Sequence, residues 1–146
     1  FLFEFTNGGF SHLNVSRMEI FNSATNIILK NPFFGTGSGS FPIIYEFETG
    51  FWKGHSHNIF AELAISYGLP TTIIFIIFLI FLFYNSFKKI YYYPLKNINE
   101  KAFWAASLIF LISQLVDVQY FDGRISIVFW FLLAGLKTTI DEKKLI

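Results

Sequence analysis

An uncharged run of 19 residues, from Leu69 to Phe87, is the feature that most constrains how this chain can fold. At about 1.5 Å of rise per residue, a helix of this length crosses a bilayer core of about 30 Å. The composition agrees: 53% of the residues are hydrophobic and only 14% are charged, whereas soluble domains carry about 25% charged residues. We therefore predict an all-α fold, a polytopic helical membrane protein fragment.

Two further apolar segments follow the first. The sequence predicts about three transmembrane helices, at about 69–87, 102–121 and 125–140. Residues 1–68 form a separate loop region with amphipathic helices, and residues 69–146 form the transmembrane region. A net charge of +1 gives no argument for a nucleic-acid partner, and the absence of cysteine excludes disulfides and thiolate chemistry.

Basic residues predict the orientation of these spans. Residues 88–101 carry four Lys against one Glu, and the tail from Lys137 carries three Lys against two acids. Residues 1–68 instead carry three basic residues against five Glu. By the positive-inside rule, the C-terminus is cytoplasmic and residues 1–68 face the periplasm. Because the chain opens on Phe1 without a signal sequence, we expect it to be the C-terminal piece of a longer protein, with a processed mature form as the alternative.

A capping box marks the first helix of the loop region. Ser16 is followed three residues later by Glu19, which predicts a helix over residues 17–30 that ends at Asn31-Pro32. This helix carries polar residues between its apolar ones, so we expect it to lie on or beside the membrane. Its predicted apolar face consists of Phe21, Ala24, Ile27 and Ile28.

A glycine-rich stretch, residues 35–40, comes next. It lacks the Lys of a Walker A loop and the spacing of a dinucleotide fingerprint. A tight turn through Gly35 and Gly37 is the favoured interpretation, and anion binding by its amides is the alternative. Residues 41–56 are predicted to be loop, and a short helix over 58–67 is predicted to end at the Gly68-Leu69-Pro70 break.

The sequence Gly54-His55-Ser56-His57-Asn58 lies just ahead of the first span. Histidine is costly in hydrocarbon and titrates close to neutral pH, so two of them at this place are unusual. The residues alone leave three interpretations open. The histidines are metal ligands together with Glu46 and Glu48, or one is a general base for a hydroxyl proton, or they have only a structural role.

Two arginines and one carboxylate are further candidates. Arg17 stands at a helix start, where the dipole prefers anions. A guanidinium matches phosphate geometry, so Arg17 is either a pyrophosphate ligand or a solvated helix-start residue. Asp117, with Gln114, lies near the end of a predicted span, where it is either functional or paired with Arg124.

Taken in order, these motifs resemble the C-terminal portion of the O-antigen ligase and O-antigen polymerase superfamily. The likeness covers residues 16–87 most closely, and Asp117–Arg124 is compatible with it. It rests on Arg17, Asn31-Pro32-Phe33-Phe34-Gly35-Thr36-Gly37-Ser38-Gly39-Ser40-Phe41, His55-Ser56-His57-Asn58 and Gly68-Leu69.

The resemblance implies a metal-independent glycosyltransferase without cofactors in the bacterial inner membrane. Such a ligase transfers a glycan from an undecaprenyl-diphosphate donor to the lipid A core or another acceptor in the periplasm. His57, which Asn58 follows directly, matches the proposed base, and His55 is its neighbour. Arg17, together with Arg124, would contact the donor diphosphate. The other partners would be membrane lipids and the missing N-terminal helices, without which we expect this fragment to be inactive.

Three alternatives remain open. The first is a polymerase of O-antigen or exopolysaccharide from the same superfamily. The second is a non-enzymatic membrane subunit or transporter part that uses His55, His57 and Asp117, although residues 73–84 offer no polar group before Tyr84. The third is a metal-dependent periplasmic hydrolase.

Overall fold

All regular structure in the described part of the chain is helical. The computed structural model describes residues 16–92 and 98–141, so part of the basic loop and the tail beyond residue 141 lie outside the described residues. The chain divides into two compact units, Phe1–Thr72 and Ile73–Ile146. The predicted all-α fold is confirmed. Its helices are α1 (Arg17–Lys30), α2 (Phe41–Thr49), α3 (Ile59–Tyr92), α4 (Ile98–Val116) and α5 (Gly123–Asp141), with a 3-10 turn over Gln119–Phe121.

The capping box predicted for α1 is present. The Glu19 amide donates to the Ser16 hydroxyl at 3.2 Å, and the Ser16 amide donates to the Glu19 carboxylate at 3.0 Å. Two of the amides that a helix start leaves without partners are thereby satisfied. Of the predicted apolar face, Phe21 is 53% exposed and Ala24 and Ile27 are buried. The buried stripe begins one residue earlier and consists of Ile20, Ala24 and Ile27.

Helix α2 corrects the prediction of a loop over residues 41–56. Pro42 lies in its first turn, where the missing amide costs nothing, and Gly50 ends it in the left-handed conformation at φ +74°. Phe41 and Tyr45, four residues apart, place both rings on one side of the helix. Burial there raises the pKa of the Tyr45 phenol. These rings complete a core with Ile20, Ala24, Ile27 and Ile65.

Helix α3 is interrupted at Gly68, as the sequence predicts. Gly68 has φ +85° and ψ 167°, and Pro70 follows it inside the helix. Proline removes an amide and disfavours helical geometry in the residue before it. The segment after α1 supplies a partner for a backbone group at the break: the Leu69 amide donates a hydrogen bond to the Pro32 carbonyl at 2.7 Å.

The glycine-rich turn caps the segment of α3 that precedes the break. The Thr36 amide and hydroxyl donate to the Ile65 carbonyl at 2.7 and 3.0 Å, and the Gly37 amide donates to the Ser66 carbonyl at 3.1 Å. Carbonyls at a helix end otherwise lack protein partners. Residues 35–40 thus form a turn against α3, and the amides of Thr36 and Gly37 are engaged with α3 rather than open to an anion.

Gly35 lets this turn approach α3 closely. A Cβ atom at Gly35 would lie 2.5 Å from the Ile65 carbonyl oxygen and 2.7 Å from the Tyr67 amide nitrogen. Its φ of +69° is also one that residues with side chains rarely adopt. Only glycine satisfies both conditions without moving the backbone of α3.

The second unit contains residues 73–92 of α3 together with α4 and α5. The Trp104 indole donates to the Phe83 carbonyl at 3.2 Å, so this tryptophan packs between helices. Helices α4 and α5 run antiparallel, since Phe110 stacks on Phe129 at 5.9 Å while the Phe103 ring lies against Gly135. Near the other end of α3, the Lys89 ammonium donates to the Ile140 carbonyl at 2.8 Å.

Two helices in the described part of the chain are long and apolar enough to cross a membrane. They are Ile59–Tyr91 and Gly123–Asp141. Helix α4 is not one of these two; it carries Glu100 and Lys101 in its first turn and ends at Val116, before the predicted limit at residue 121. That α4 spans the membrane stays a prediction. Many aliphatic and aromatic side chains on these helices are exposed, as lipid-facing surfaces require, among them Ile74, Ile77, Ile80, Ile127 and Phe131.

Replacing Gly35 by Ala should destabilise the protein more than replacing Gly39 by Ala. The two glycines have nearly equal φ, +69° and +71°, but a Cβ atom at Gly39 meets nothing within 4 Å. Both variants bear the left-handed strain of about 1–2 kcal/mol, and Gly35→Ala adds overpacking of about 1–3 kcal/mol. Thermal unfolding of the full-length gene product in detergent measures the difference. Equal midpoints for the two variants would show that the turn does not press against α3.

Candidate functional site

The histidine loop, residues 54–58, joins α2 to α3 and contains an unusual backbone. His57 has φ +57°, and it is the one residue other than glycine with a positive φ among residues 16–92 and 98–141. Such a conformation costs about 1–3 kcal/mol and persists only where the surroundings hold it in place. Strain of this kind concentrates at functional sites, which marks His57 as the first residue to consider.

A closed ring of hydrogen bonds holds this loop on the first turn of α3. The Ser56 amide donates to Oε2 of Glu62 at 3.0 Å, and the Glu62 amide donates to the Asn58 carbonyl at 2.9 Å. The Ser56 hydroxyl donates to the same carbonyl at 3.2 Å. Ser56 and Glu62 are both buried, so solvent competes little for these bonds.

Asn58 caps α3. Its side-chain Oδ1 accepts hydrogen bonds from the Phe60 amide at 3.0 Å and the Ala61 amide at 3.1 Å. Asparagine is among the preferred residues at this position, because its oxygen satisfies amides that the helix start leaves open. Asn58 therefore serves as the N-cap of α3, and this cap fixes the residue that follows His57.

The two imidazoles contact each other edge to face. Their ring centroids lie 4.4 Å apart at an interplanar angle of 72°. The His57 amide donates to Nδ1 of His55 at 3.3 Å. A nitrogen that accepts a hydrogen bond carries no proton, so neutral His55 bears its proton on Nε2. His55 can therefore donate a hydrogen bond from Nε2. His57 is the better candidate for a base.

Glu62 is a functional candidate that the sequence reasoning missed. Its side chain is buried, and within the described part of the chain its Oε1 atom has no hydrogen-bond partner. Native proteins contain few such atoms, and each one calls for an explanation. The available signal was a carboxylate four residues after Asn58, in the first turn of the helix that leads into the apolar run.

The metal interpretation gains no support from the two glutamates on α2. Glu48 forms an ion pair with Lys30 of α1 at 2.7 Å, and Glu46 is exposed. Within the described residues, neither glutamate joins the histidines in a cluster that could hold a metal ion. A metal site built from His55, His57, Glu46 and Glu48 therefore has no geometric basis here.

The two arginines lie in different units. Arg17 is exposed at the first position of α1, in the unit that contains the histidine loop. Arg124 lies in the first turn of α5 in the other unit. Its guanidinium donates to the Asp122 carboxylate at 3.3 Å, and its backbone amide donates to the same carboxylate at 2.9 Å. These hydrogen bonds lower the pKa of the Asp122 carboxyl. A diphosphate-binding role for either arginine stays a prediction.

Gln114 has a structural role near the end of α4. It is buried, and its Oε1 accepts a hydrogen bond from the Gln119 amide at 3.1 Å. This bond ties α4 to the 3-10 turn that follows and satisfies a backbone donor near the helix end. The sequence offered Asp117 as an ion-pair partner of Arg124. The structure instead pairs Arg124 with Asp122.

Comparison with known proteins gives one family. The sequence profile of the O-antigen ligase family matches residues 1–76, which contain α1, α2, the histidine loop and the broken start of α3. Separate comparisons with the curated proteins and with the solved structures found no match. The chain therefore belongs to the O-antigen ligase family, a family of membrane proteins with ligase- and polymerase-type function in polysaccharide biosynthesis.

Proposed function

We propose that this chain carries the acceptor-activating site of a membrane glycosyltransferase of the O-antigen ligase type. The enzyme would transfer a glycan from an undecaprenyl-diphosphate donor to the lipid A core or another acceptor on the periplasmic face. The single observation that carries the proposal is the strained, hydrogen-bonded placement of His57 beside His55 at the start of α3. Family membership supplies the reaction class.

The proposed step moves one proton and exchanges one bond. An oxygen of the acceptor hydroxyl attacks the anomeric carbon of the donor sugar, and a new glycosidic bond forms. The bond between that carbon and the diphosphate oxygen breaks, and its electron pair leaves with undecaprenyl diphosphate. His57 accepts the hydroxyl proton as the bond forms, since imidazole can take up a proton at neutral pH.

His55 supports this step through its position. Its Nδ1 accepts the His57 amide, so its proton lies on Nε2. A donor beside the base can hydrogen-bond to the acceptor sugar or to the leaving oxygen, and so contribute to orientation. We assign His55 to substrate positioning and His57 to proton transfer.

The departing diphosphate requires positive charge. Charge-assisted hydrogen bonds from a guanidinium stabilise such a group, and bidentate geometry favours arginine over lysine. Arg17 is exposed on α1 and is our first candidate. Arg124 would have to exchange its contact with Asp122 for the diphosphate, which makes it the weaker candidate.

The acceptor distinguishes ligase from polymerase. Both reactions use the same lipid diphosphate donor and the same proton transfer, so the histidine loop serves either one. A polymerase differs in that its acceptor is a second lipid-linked glycan. We favour the ligase because the family profile that matches is that of O-antigen ligase.

Substituting His57 by Gly should remove transfer without unfolding the protein. Glycine adopts φ +57° without strain, so His57→Gly keeps the loop conformation and loses only the imidazole. We expect at least a 100-fold loss of glycan attachment, within the roughly 10²–10⁴-fold range of general-base catalysis. The assay is attachment of polysaccharide to the lipid A core in a strain that lacks its own ligase and expresses the full-length gene product.

Matched variants make this result interpretable. His57→Ala also removes the imidazole, but alanine retains the strain of the left-handed backbone. The midpoint temperature of unfolding should therefore be lower for His57→Ala than for His57→Gly. Transfer retained in His57→Gly would refute the assignment of the base. Absence of attachment in the wild type, with lipid-linked glycan lengthened instead, would identify a polymerase.

Labelling of single cysteines should place the histidine-loop unit in the periplasm. Residues 1–146 contain no cysteine, so each introduced thiol reports alone once any cysteine elsewhere in the full-length gene product has been replaced. Phe47 of α2 is 91% exposed and Ile98 at the start of α4 is 80% exposed. In cells with a permeabilised outer membrane, an impermeant maleimide should label Phe47→Cys at once. It should label Ile98→Cys only after the inner membrane is opened. The reverse pattern would invert the orientation taken from the positive-inside rule.

A further inference from the structure

We propose that Glu62 is a positioning residue for His57. Its carboxylate holds the Ser56 amide and thereby fixes the backbone on which both histidines stand. The inference rests on the proposed function of His57 as a base. It adds a buried acidic group that lies outside the sequence motif and has no assigned role.

The connection between Glu62 and the loop is double. Oε2 accepts the Ser56 amide at 3.0 Å, and the Glu62 amide donates to the Asn58 carbonyl, which also accepts the Ser56 hydroxyl. Residues 56 and 58 flank His57 on both sides. A hydrogen bond from a backbone amide to a carboxylate is stronger than one to a neutral acceptor, so the bond at Ser56 is well suited to hold a strained neighbour.

Burial of the Glu62 carboxylate costs free energy, which argues that this side chain has a specific role. The side chain is 5% exposed, and within the described residues its Oε1 atom has no partner. Burying a carboxylate oxygen without a donor is unfavourable, and an apolar side chain of similar size would avoid that cost. The neighbouring buried positions of α3, such as Ile59 and Ile65, are indeed apolar. The carboxylate is therefore explained by what its other oxygen holds.

Residues 57–62 thus contain two energetically unfavourable features. His57 adopts a left-handed conformation, and Glu62 buries an oxygen without a partner. Local departures from the rules of stability are expected where a fold fixes reactive groups. The ring of hydrogen bonds joins the two, since loss of the Ser56 contact would free His57 to relax towards an ordinary backbone conformation.

Two substitutions separate positioning from other roles. In Glu62→Gln the amide oxygen still accepts the Ser56 amide, whereas Glu62→Leu keeps the approximate volume and removes the acceptor. We expect Glu62→Leu to lower kcat by about 100-fold, the effect of misplacing a catalytic group by about 1 Å, with KM for the donor nearly unchanged. Glu62→Gln should restore most of kcat. Glu48→Leu, a carboxylate of the same unit that pairs with Lys30 on the surface, should leave kcat unchanged.

A spectroscopic readout keeps the test independent of catalysis. Selective labelling of the imidazoles in the full-length protein, with the signals assigned by replacing His55 or His57 singly, gives one signal for each of these two residues. Glu62→Leu should shift the signals of His55 and His57, and Glu62→Gln should leave both in place. If transfer fails in the wild type but these shifts occur, the proposed function is wrong while the positioning role stands.

Three results would overturn the inference. The first is unchanged His55 and His57 signals in Glu62→Leu. The second is an inactive Glu62→Gln variant with unshifted signals, because the carboxylate charge rather than the hydrogen bond would then be required. The third is a fall in kcat matched by general unfolding in Glu62→Leu and not reversed by Gln, which would reduce Glu62 to a structural residue.

Discussion

The contact between the chain after α1 and the broken end of α3 is the interaction on which the first unit depends. Gly68 and Pro70 open the helix, and the Thr36 and Gly37 amides together with the Pro32 carbonyl satisfy the groups that the break exposes. Without these partners, several backbone groups would be left unpaired in a partly buried place, which is costly. The contact fixes the first segment of α3, and that segment carries the histidine loop at its N-terminal end.

The site follows from this arrangement. Asn58 caps α3, Glu62 lies one turn later, and both hold Ser56 through the same ring of hydrogen bonds. The strained backbone of His57 is kept in place by a helix that is itself capped at its far end by the glycine-rich turn. A rigid support of this kind is what general-base catalysis needs, because small errors in position cost large factors in rate. The spacing of Ser56, Asn58 and Glu62 thus has a structural reason in this chain.

Local signals predicted local structure well. The capping box at Ser16 and the break at Gly68 each rest on residues a few positions apart, and both are present. Helix α2 was missed because its signals, Pro42 and Gly50, are also typical of loops and its burial depends on packing against α1. The pattern of α1 did not show which apolar residues the core covers: Ile20 is buried and Phe21 is exposed, because burial depends on packing against other elements. The roles of Gly35 and Glu62 depend on contacts formed only in three dimensions.

The central claim is that His57 transfers a proton in a metal-independent glycan transfer from a lipid diphosphate. The most direct test uses the purified full-length gene product in proteoliposomes with undecaprenyl-diphosphate-linked glycan, the lipid A core acceptor and EDTA. The account predicts that wild-type protein forms glycosylated acceptor and undecaprenyl diphosphate in equal amounts, and that His57→Gly forms neither. Equal rates for the two proteins, or transfer that begins only when a divalent cation is added, would contradict it.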